Sequence, residues 1–288
     1  MNYDVNWARW CWASMAKHFN DIGVAEVFTD APLVFLDVET TGLKAETDVL
    51  LEVACLRVGD RDASFVSLVN PGRPIPPYIT KINGITDAMV LTQGLPAGQV
   101  AGMLLGSRIL DYSILVAHNV SFDMGFLAVL LGPAVHCCPQ IDTLSLAMHL
   151  LPGEAKYGLQ PLKMSCGLPS SQAHRALGDV ETVQALLAFL VGTSPRPLAT
   201  WELMLPWATA TLQDAEMLTQ IYAGIAEETA LSFDYLKPGE ITPETRTLTP
   251  KQMAYDRGKV MVRGYDHLRE EERTFRLDRI VGGVHGTA

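Results

Sequence analysis

The stretch Val34-Phe35-Leu36-Asp37-Val38-Glu39-Thr40-Thr41-Gly42 constrains this chain more than any other. An apolar, partly β-branched run of this kind reads as a buried strand. Two carboxylates interrupt it at positions i and i+2. Side chains alternate along a strand, so Asp37 and Glu39 point the same way, about 7 Å apart. Two anions on one face of an apolar strand are costly unless a cation neutralises them, and hard oxygen ligands favour Mg²⁺ or Mn²⁺. Taken alone, the stretch leaves two readings open. The acids are metal ligands, or they sit at a frayed strand end in water.

Charge narrows the class of partner. The net charge of −10 argues against broad, sequence-independent adhesion to nucleic acid. The charge is uneven, however. Residues 1–244 carry 13 Lys+Arg against 26 Asp+Glu, whereas residues 245–288 carry 9 against 6. Divalent cations would also offset an acidic cluster. The five cysteines (Cys11, Cys55, Cys137, Cys138 and Cys166) form no CxxC pair, so neither a disulfide framework nor a zinc site is indicated. No apolar run approaches the roughly 20 residues of a membrane span, and Met1 to Asn6 lacks a signal-peptide pattern. A reducing cytoplasm is the expected setting, with no membrane partner.

In chain order, Trp7, Trp10, Cys11, Met15 and Phe19 fall near helical spacing, which predicts an N-terminal helical extension over residues 1–30. Strands are predicted at Leu33–Val38, Val49–Val58 and Ala63–Val69, with a turn at Gly59-Asp60. Pro74-Ile75-Pro76-Pro77 predicts an extended loop. Helices follow after Thr86 and over Gln99–Leu110. A fourth strand spans Ser113–Ala117, then a helix Ser121–Leu131 with Ser121 as its cap. Asp142 is placed to cap a helix Thr143–Leu150. A short helix Leu159–Cys166 and a long one Arg175–Val191 complete the region. A three-strand meander followed by alternating strands and helices implies an α/β domain over residues 31–192, a mixed sheet flanked by helices. Residues 193–230 read as a linker and a helix broken at Pro206. From Leu231 the chain reads as short strands over Leu231–Tyr235, Arg246–Pro250, Val260–Tyr265 and Glu272–Ile280, a small, mostly-β module over 231–288.

Other acids could join Asp37 and Glu39. Asp123 lies in His118-Asn119-Val120-Ser121-Phe122-Asp123, one helical turn past an apolar strand. Sheet proteins gather ligands at strand ends, although a solvated acid in a first helical turn is an equally good account of Asp123 alone. Asp179 opens the long helix, and His174 precedes it by five residues. A histidine beside a carboxylate–metal cluster is suited to accept a proton from water, because its free pKa of about 6.5 lies near working pH.

The joint order of these segments resembles the DEDDh family of 3′–5′ exonucleases, which includes proofreading exonucleases and ribonuclease T and has a ribonuclease H-like fold. The DxE motif matches Asp37-Val38-Glu39. The HNxxFDxxFL motif matches His118 to Leu127, and HxxxxD matches His174 to Asp179. The likeness covers about Leu33 to Leu190. It implies that Asp37, Glu39, Asp123 and Asp179 ligate two divalent ions, Mg²⁺ or Mn²⁺, roughly 3.5–4 Å apart, with His174 as general base. It also places Thr40, Thr41, Gly42, Asn119 and Phe122 in contact with the terminal nucleotide, with Leu43 wedged against the last bases. Phe126 reads as packing, whereas Phe122 and Tyr157 could stack or pack. Asn83, in NGIT, departs from the histidine that many members carry there, at a position expected to be peripheral to the chemistry.

The RTLTP and ERTFRLDRI stretches resemble a WYL domain, with Val260-Met261-Val262 where its naming triplet would fall. Arg263, Arg273, Arg276 and Arg279 are candidates for gripping nucleic acid or nucleotide, the alternative being solvated arginines on a structural appendage. The implied activity is release of nucleoside 5′-monophosphates from a nucleic-acid 3′ end, in single-stranded DNA or RNA. Two other readings stay open. One is a regulatory protein that only binds nucleic-acid ends. The other is a proofreading-type subunit active within a polymerase or repair complex. A homodimer is also possible.

Overall fold

The computed structural model describes residues 32–58, 63–111, 113–169, 175–195, 198, 212–256 and 259–287. The N-terminal helical extension and the Gly59-Asp60 turn lie outside them. So does the Pro206 break.

The first sheet has the strand order β3-β2-β1-β4-β5, from β1 (Leu33–Thr40), β2 (Leu50–Val58), β3 (Ala63–Leu68), β4 (Ile114–Ala117) and β5 (Gln140–Asp142). β1, β2 and β3 form an antiparallel meander, and β4 and β5 run parallel to β1. The sheet is therefore mixed, as the sequence implies. Val34, Leu36 and Val38 are buried on one face of β1. Phe35 is buried on the other face, which opens toward Asp37 and Glu39. Burying a side chain of the Val34 or Leu36 type contributes about 1.5–3 kcal/mol, and this fixes which face the acids occupy. The β1–β2 register shifts after Glu39, leaving Leu51 without a counterpart. Such bulges re-aim side chains beside functional sites.

Eight α-helices are described. α1 (Pro77–Asn83), α2 (Asp87–Thr92) and α3 (Ala97–Gly106) follow β3. The extended loop expected at Pro74–Pro77 is shorter, because Pro77 starts α1, where its missing N–H costs nothing. Gly84 closes α1 at φ +73°, a left-handed conformation that suits glycine. α4 (Val120–Leu131) starts after Asn119, not Ser121. Asn119 itself takes φ +70°, tolerable for asparagine. α5 (Thr143–Leu150) is capped by Asp142, which accepts from the Leu144 N–H as expected. α6 (Leu159–Ser165) and α7 (Ala176–Thr193) complete this unit. By length and composition α7 could cross a membrane, but half of it is buried and it packs on β1 and β2. It is the core helix of this sheet.

The second sheet, β10-β6-β7-β8-β9, is antiparallel throughout. Its strands are β6 (Leu231–Tyr235), β7 (Glu244–Asp256), β8 (Lys259–Asp266), β9 (Glu271–Arg276) and β10 (Ile280–Gly286). The strand expected over Glu272–Ile280 is two strands, parted by a 3₁₀ turn at Leu277–Arg279. α8 (Leu212–Glu227) packs across β7 and β10. At the β7 bulge the chains approach so closely that a Cβ on Gly264 would sit 2.2 Å from the Thr249 carbonyl oxygen. The two units share one apolar cluster. α8 and β7 meet a 3₁₀ turn at Pro133–Cys137, and β7 also touches α4.

The C-terminal arginines are largely paired with acids. Arg273 bonds Glu271 at 2.7 Å, Arg276 grips Asp278 with two bonds at 2.9 and 2.6 Å, and Arg263 reaches Glu272 at 2.8 Å. These exposed pairs hold weakly, so they do not decide between a phosphate grip and solvated arginines. The β8–β9 pairing brings Arg263 to Glu272, whereas Arg273 and Arg276 each meet an acid two residues away along the chain.

Arg246 anchors this unit. It is 2% exposed and donates to Asp266 (0% exposed) at 2.9 Å and to Glu244 at 2.6 Å. Its guanidinium lies 5.9 Å from the Phe275 ring centre. Removing one member of a buried pair strands the other's charge, at a cost of roughly 3–5 kcal/mol. Arg246→Met should lower urea-unfolding stability by about that much, and Arg246→Met with Asp266→Leu should recover a large part of it. A single variant as stable as wild type would show that the pair does not hold the sheet.

Candidate active site

The site forms where β1 leaves the sheet. Oxygens of Asp37, Glu39 and Asp179 lie within 4.8 Å of one another. Asp37 and Glu39 come from alternate positions on β1, and Asp179 from the first turn of α7, where the helix N-terminus favours an anion. Asp123, in the first turn of α4, is 2% exposed. Its Oδ1 accepts the Val38 N–H at 3.1 Å, so it is latched to β1 between Asp37 and Glu39. It stands outside the three-acid cluster yet close enough for its charge to raise the Asp37 pKa.

Glu52 on β2 stands directly opposite Glu39. It is 1% exposed and accepts from Arg175 Nη2 at 2.6 Å, Arg175 Nε at 3.0 Å and the Ala176 N–H at 3.0 Å. This anchor pins the start of α7 to the sheet and sets the position of Asp179, whose N–H donates to the Arg175 carbonyl. Gln160 on α6 donates to Asp179 Oδ1 at 2.7 Å. Asn83 donates to Glu39 Oε2 at 3.3 Å and accepts the Ile85 N–H. The residue expected to be peripheral thus touches a cluster carboxylate.

The electrostatics are those of an under-neutralised cage. Burial, followed by the charges of Asp123, Asp179, Glu39 and Glu52, holds the Asp37 carboxyl well above its ordinary range. Burial raises Glu39 from 4.5 to about 7, against the Asn83 hydrogen bond. Burial also raises Asp123, partly offset by backbone hydrogen bonds. Arg175 acts on Glu39 through space, but its guanidinium is committed to Glu52. Several hard oxygens on converging elements, short of positive charge, suit a Mg²⁺- or Mn²⁺-type ion.

The other sequence-derived candidates divide. Thr40 donates to the Gly42 carbonyl at 2.5 Å. Thr41 is 1% exposed, and its hydroxyl oxygen accepts from the Val49 N–H and from Arg73, each at 3.0 Å. Both hydroxyls therefore brace the turn that leaves β1. A Cβ on Gly42 would lie 2.4 Å from the Asp48 carboxylate, so a larger residue would displace the Asp48 side chain. Leu43, next in line, is 83% exposed. Phe126 is buried, as expected, and Phe122 packs on it with ring centres 5.2 Å apart. Tyr157 is used structurally: its hydroxyl donates to the Leu151 carbonyl and its carbonyl meets His118 Nε2 at 2.8 Å. Asn119 is exposed, and its N–H donates to Asp142 at 2.8 Å. His174 lies outside the described residues.

Sequence reasoning missed Glu52, Arg175 and Gln160 as supports. A signal existed for Glu52: it is a lone acid inside the apolar run Leu50-Leu51-Glu52-Val53-Ala54. It also gave Asp142 only its capping role, whereas Asp142 additionally accepts from Asn119 and from the Ser145 hydroxyl and so fixes the turn before α4.

Comparison with known proteins agrees with this arrangement. An exonuclease family profile matches residues 34–187, and a WYL-domain profile matches residues 216–282. The DNA polymerase III subunit epsilon of Treponema pallidum is 35% identical over 164 residues, covering 54% of this chain and 74% of that protein. A PolC-type DNA polymerase III from Streptococcus suis is 36% identical over 166 residues, covering 56% of this chain but only 11% of the much longer polymerase. E. coli Exonuclease I, solved with a dA13 oligonucleotide, shares the fold over 82% of this chain and 55% of its own, with a TM-score of 0.53 at 16% identity.

Metal should stabilise this fold in a pH-dependent way. Glu39 titrates near 7 in the metal-free fold and near 4.5 when unfolded. The folded state then holds a proton that the unfolded state releases, and metal-free stability falls as pH rises from about 4.5 to about 7. A divalent ion removes that penalty. The gain in melting temperature with Mg²⁺ over EDTA should therefore grow across this window. The underlying stabilisation should reach about 2.7 kcal/mol at roughly 100-fold excess over Kd, and Asp179→Asn should abolish it. An Mg²⁺ effect that is absent, or flat with pH, would count against a metal at these acids.

Proposed function

The chain belongs to the exonuclease family, and on that premise we propose that it is a divalent-metal-dependent 3′–5′ exonuclease, releasing nucleoside 5′-monophosphates from a nucleic-acid 3′ end by a two-metal mechanism. The observation that carries this reading is the convergence of Asp37, Glu39 and Asp179 from two elements, with Asp123 latched beside them and the nearby arginine already engaged.

Asp37, Glu39, Asp123 and Asp179 are the residues that would hold the two ions. When bound, the metals lower the pKa of an attacking water and offset charge on the scissile phosphate. Asn83 and Gln160 orient Glu39 and Asp179 through their side-chain amides. His174, immediately before the anchored Arg175, takes the proton from the attacking water on an imidazole nitrogen. Leu43 presents an exposed apolar side chain to the last bases, beside a turn that Thr40 and Thr41 keep rigid. Single-stranded DNA or RNA is the proposed substrate. A proofreading role within a polymerase assembly is the second reading, favoured by coverage of three-quarters of a relative named as a polymerase subunit.

Asp37→Ala and Asp179→Ala should each abolish Mg²⁺-dependent release of mononucleotides from a 5′-labelled strand while leaving a cooperative melt. Full activity in either purified variant would sink the assignment. His174→Ala should cut turnover by about 10²–10⁴ and keep the Mg²⁺ stabilisation. Wild-type turnover at neutral pH would remove His174 from the base role.

A further inference from the structure

A groove of about 350 Å³ lies at the seam between the exonuclease sheet and the C-terminal sheet. One wall comes from the exonuclease side: Leu43 (83% exposed), half-buried Phe122, and Val129 (70% exposed). The other wall is Gln252 on β7 and Arg263 on β8. These two are direct partners in the β7–β8 register, so they stand side by side on one face of the sheet.

We propose that this groove carries the nucleotides adjoining a strand's 3′ end, so that the C-terminal sheet forms the outer wall of the substrate path. The proposal rests on the exonuclease reading of the acid cluster, and three observations support it. Two of its lining residues adjoin the site's acids or turn along the chain. Leu43 follows the braced turn that leaves β1, and Phe122 directly precedes Asp123. Its exonuclease wall sets the apolar Leu43, Phe122 and Val129 among Lys44, Glu46, Ser121 and His136; the apolar side chains suit base faces, which stack without sequence preference. Its outer wall belongs to the part of the chain that carries net positive charge, 9 Lys+Arg against 6 Asp+Glu in residues 245–288.

The local charge supports the same occupant. Arg263 and Lys251 both bond Glu272, at 2.8 and 2.6 Å, so two cations share one carboxylate. Exposed pairs of this kind hold weakly, which leaves Arg263 able to turn to a phosphate. Gln252 offers an amide donor beside it. Arg276, by contrast, is held by two bonds to Asp278 and does not line the groove.

The test compares kcat/KM of the full chain on the p-nitrophenyl ester of thymidine 5′-monophosphate, which has no upstream nucleotides, and on single strands of about 3 to about 12 nucleotides. Wild type should gain at least about tenfold from the shortest strand to the longest. Arg263→Ala with Gln252→Ala should lose most of that gain, and its log–log salt slope on long strands should be shallower by about 1. Val129→Glu, which sets a carboxylate in the groove, should also lose the gain. All three positions are solvent-facing or half-buried, and thermal melting verifies that the variants fold. If wild type cleaves the ester and the strands but both variants keep the wild-type length gain and salt slope, the groove proposal is overturned alone. If wild type cleaves neither ester nor strand, the exonuclease reading falls and the groove falls with it.

Discussion

The pairing of Glu52 with Arg175 and the Ala176 N–H is the contact on which the site depends. Glu52 faces Glu39 across two strands, an arrangement of like charges that would be unfavourable without a cation. Arg175 supplies that cation, and its planar fork meets both Glu52 oxygens. The same carboxylate takes a free N–H of α7. The helix therefore starts at one defined place on the sheet, and Asp179 arrives opposite Asp37 and Glu39. The neutralising charge is spent in doing so. What remains is a group of converging acids, and burial first, then the neighbouring charges, raise the pKa values of Asp37, Glu39 and Asp123, a state that a divalent ion relieves.

Two further devices hold the cage. The Val38 N–H draws Asp123 against β1, so α4 is aligned by a backbone donor instead of by apolar packing alone. On the far side, Asp142 takes the Asn119 and Leu144 N–H groups and the Ser145 hydroxyl, which fixes the turn leading into α4 and starts α5. The braced turn after β1 then leaves Leu43 in solvent beside the site. Rigid support and one exposed apolar side chain thus come from a single short stretch.

In the C-terminal sheet, antiparallel register sets Arg263 beside Glu272 on the neighbouring strand, while Arg273 and Arg276 pair with Glu271 and Asp278 two residues away. Its core is fixed by a buried ion pair and by Phe233, Tyr235 and Phe275 in edge-to-face contact. The seam with the first sheet is apolar and continuous, which gives the second sheet a fixed side to present to the site.

The sequence by itself determined the elements whose signals are local. These include the alternation that sets Asp37 and Glu39 on one face, the strand cores around Val34–Val38 and Ile114–Ala117, the Asp142 cap, and the order of the motifs bearing Asp123 and Asp179. It missed β5, whose three residues carry too little periodicity to stand out, and α1, whose opening prolines read as an extended loop. It merged β9 with β10, because a single 3₁₀ turn separates them. Only the tertiary structure decided that Glu52 and Arg175 meet across 123 positions, that Asn83 reaches Glu39, and that Thr40 and Thr41 brace a turn. It also decided that Gln252 and Arg263 stand across a groove from Leu43 and Val129. Except for the turn contacts of Thr40 and Thr41, these are long-range pairings, set by strand register and by how two sheets dock. Linear spacing carries no record of either.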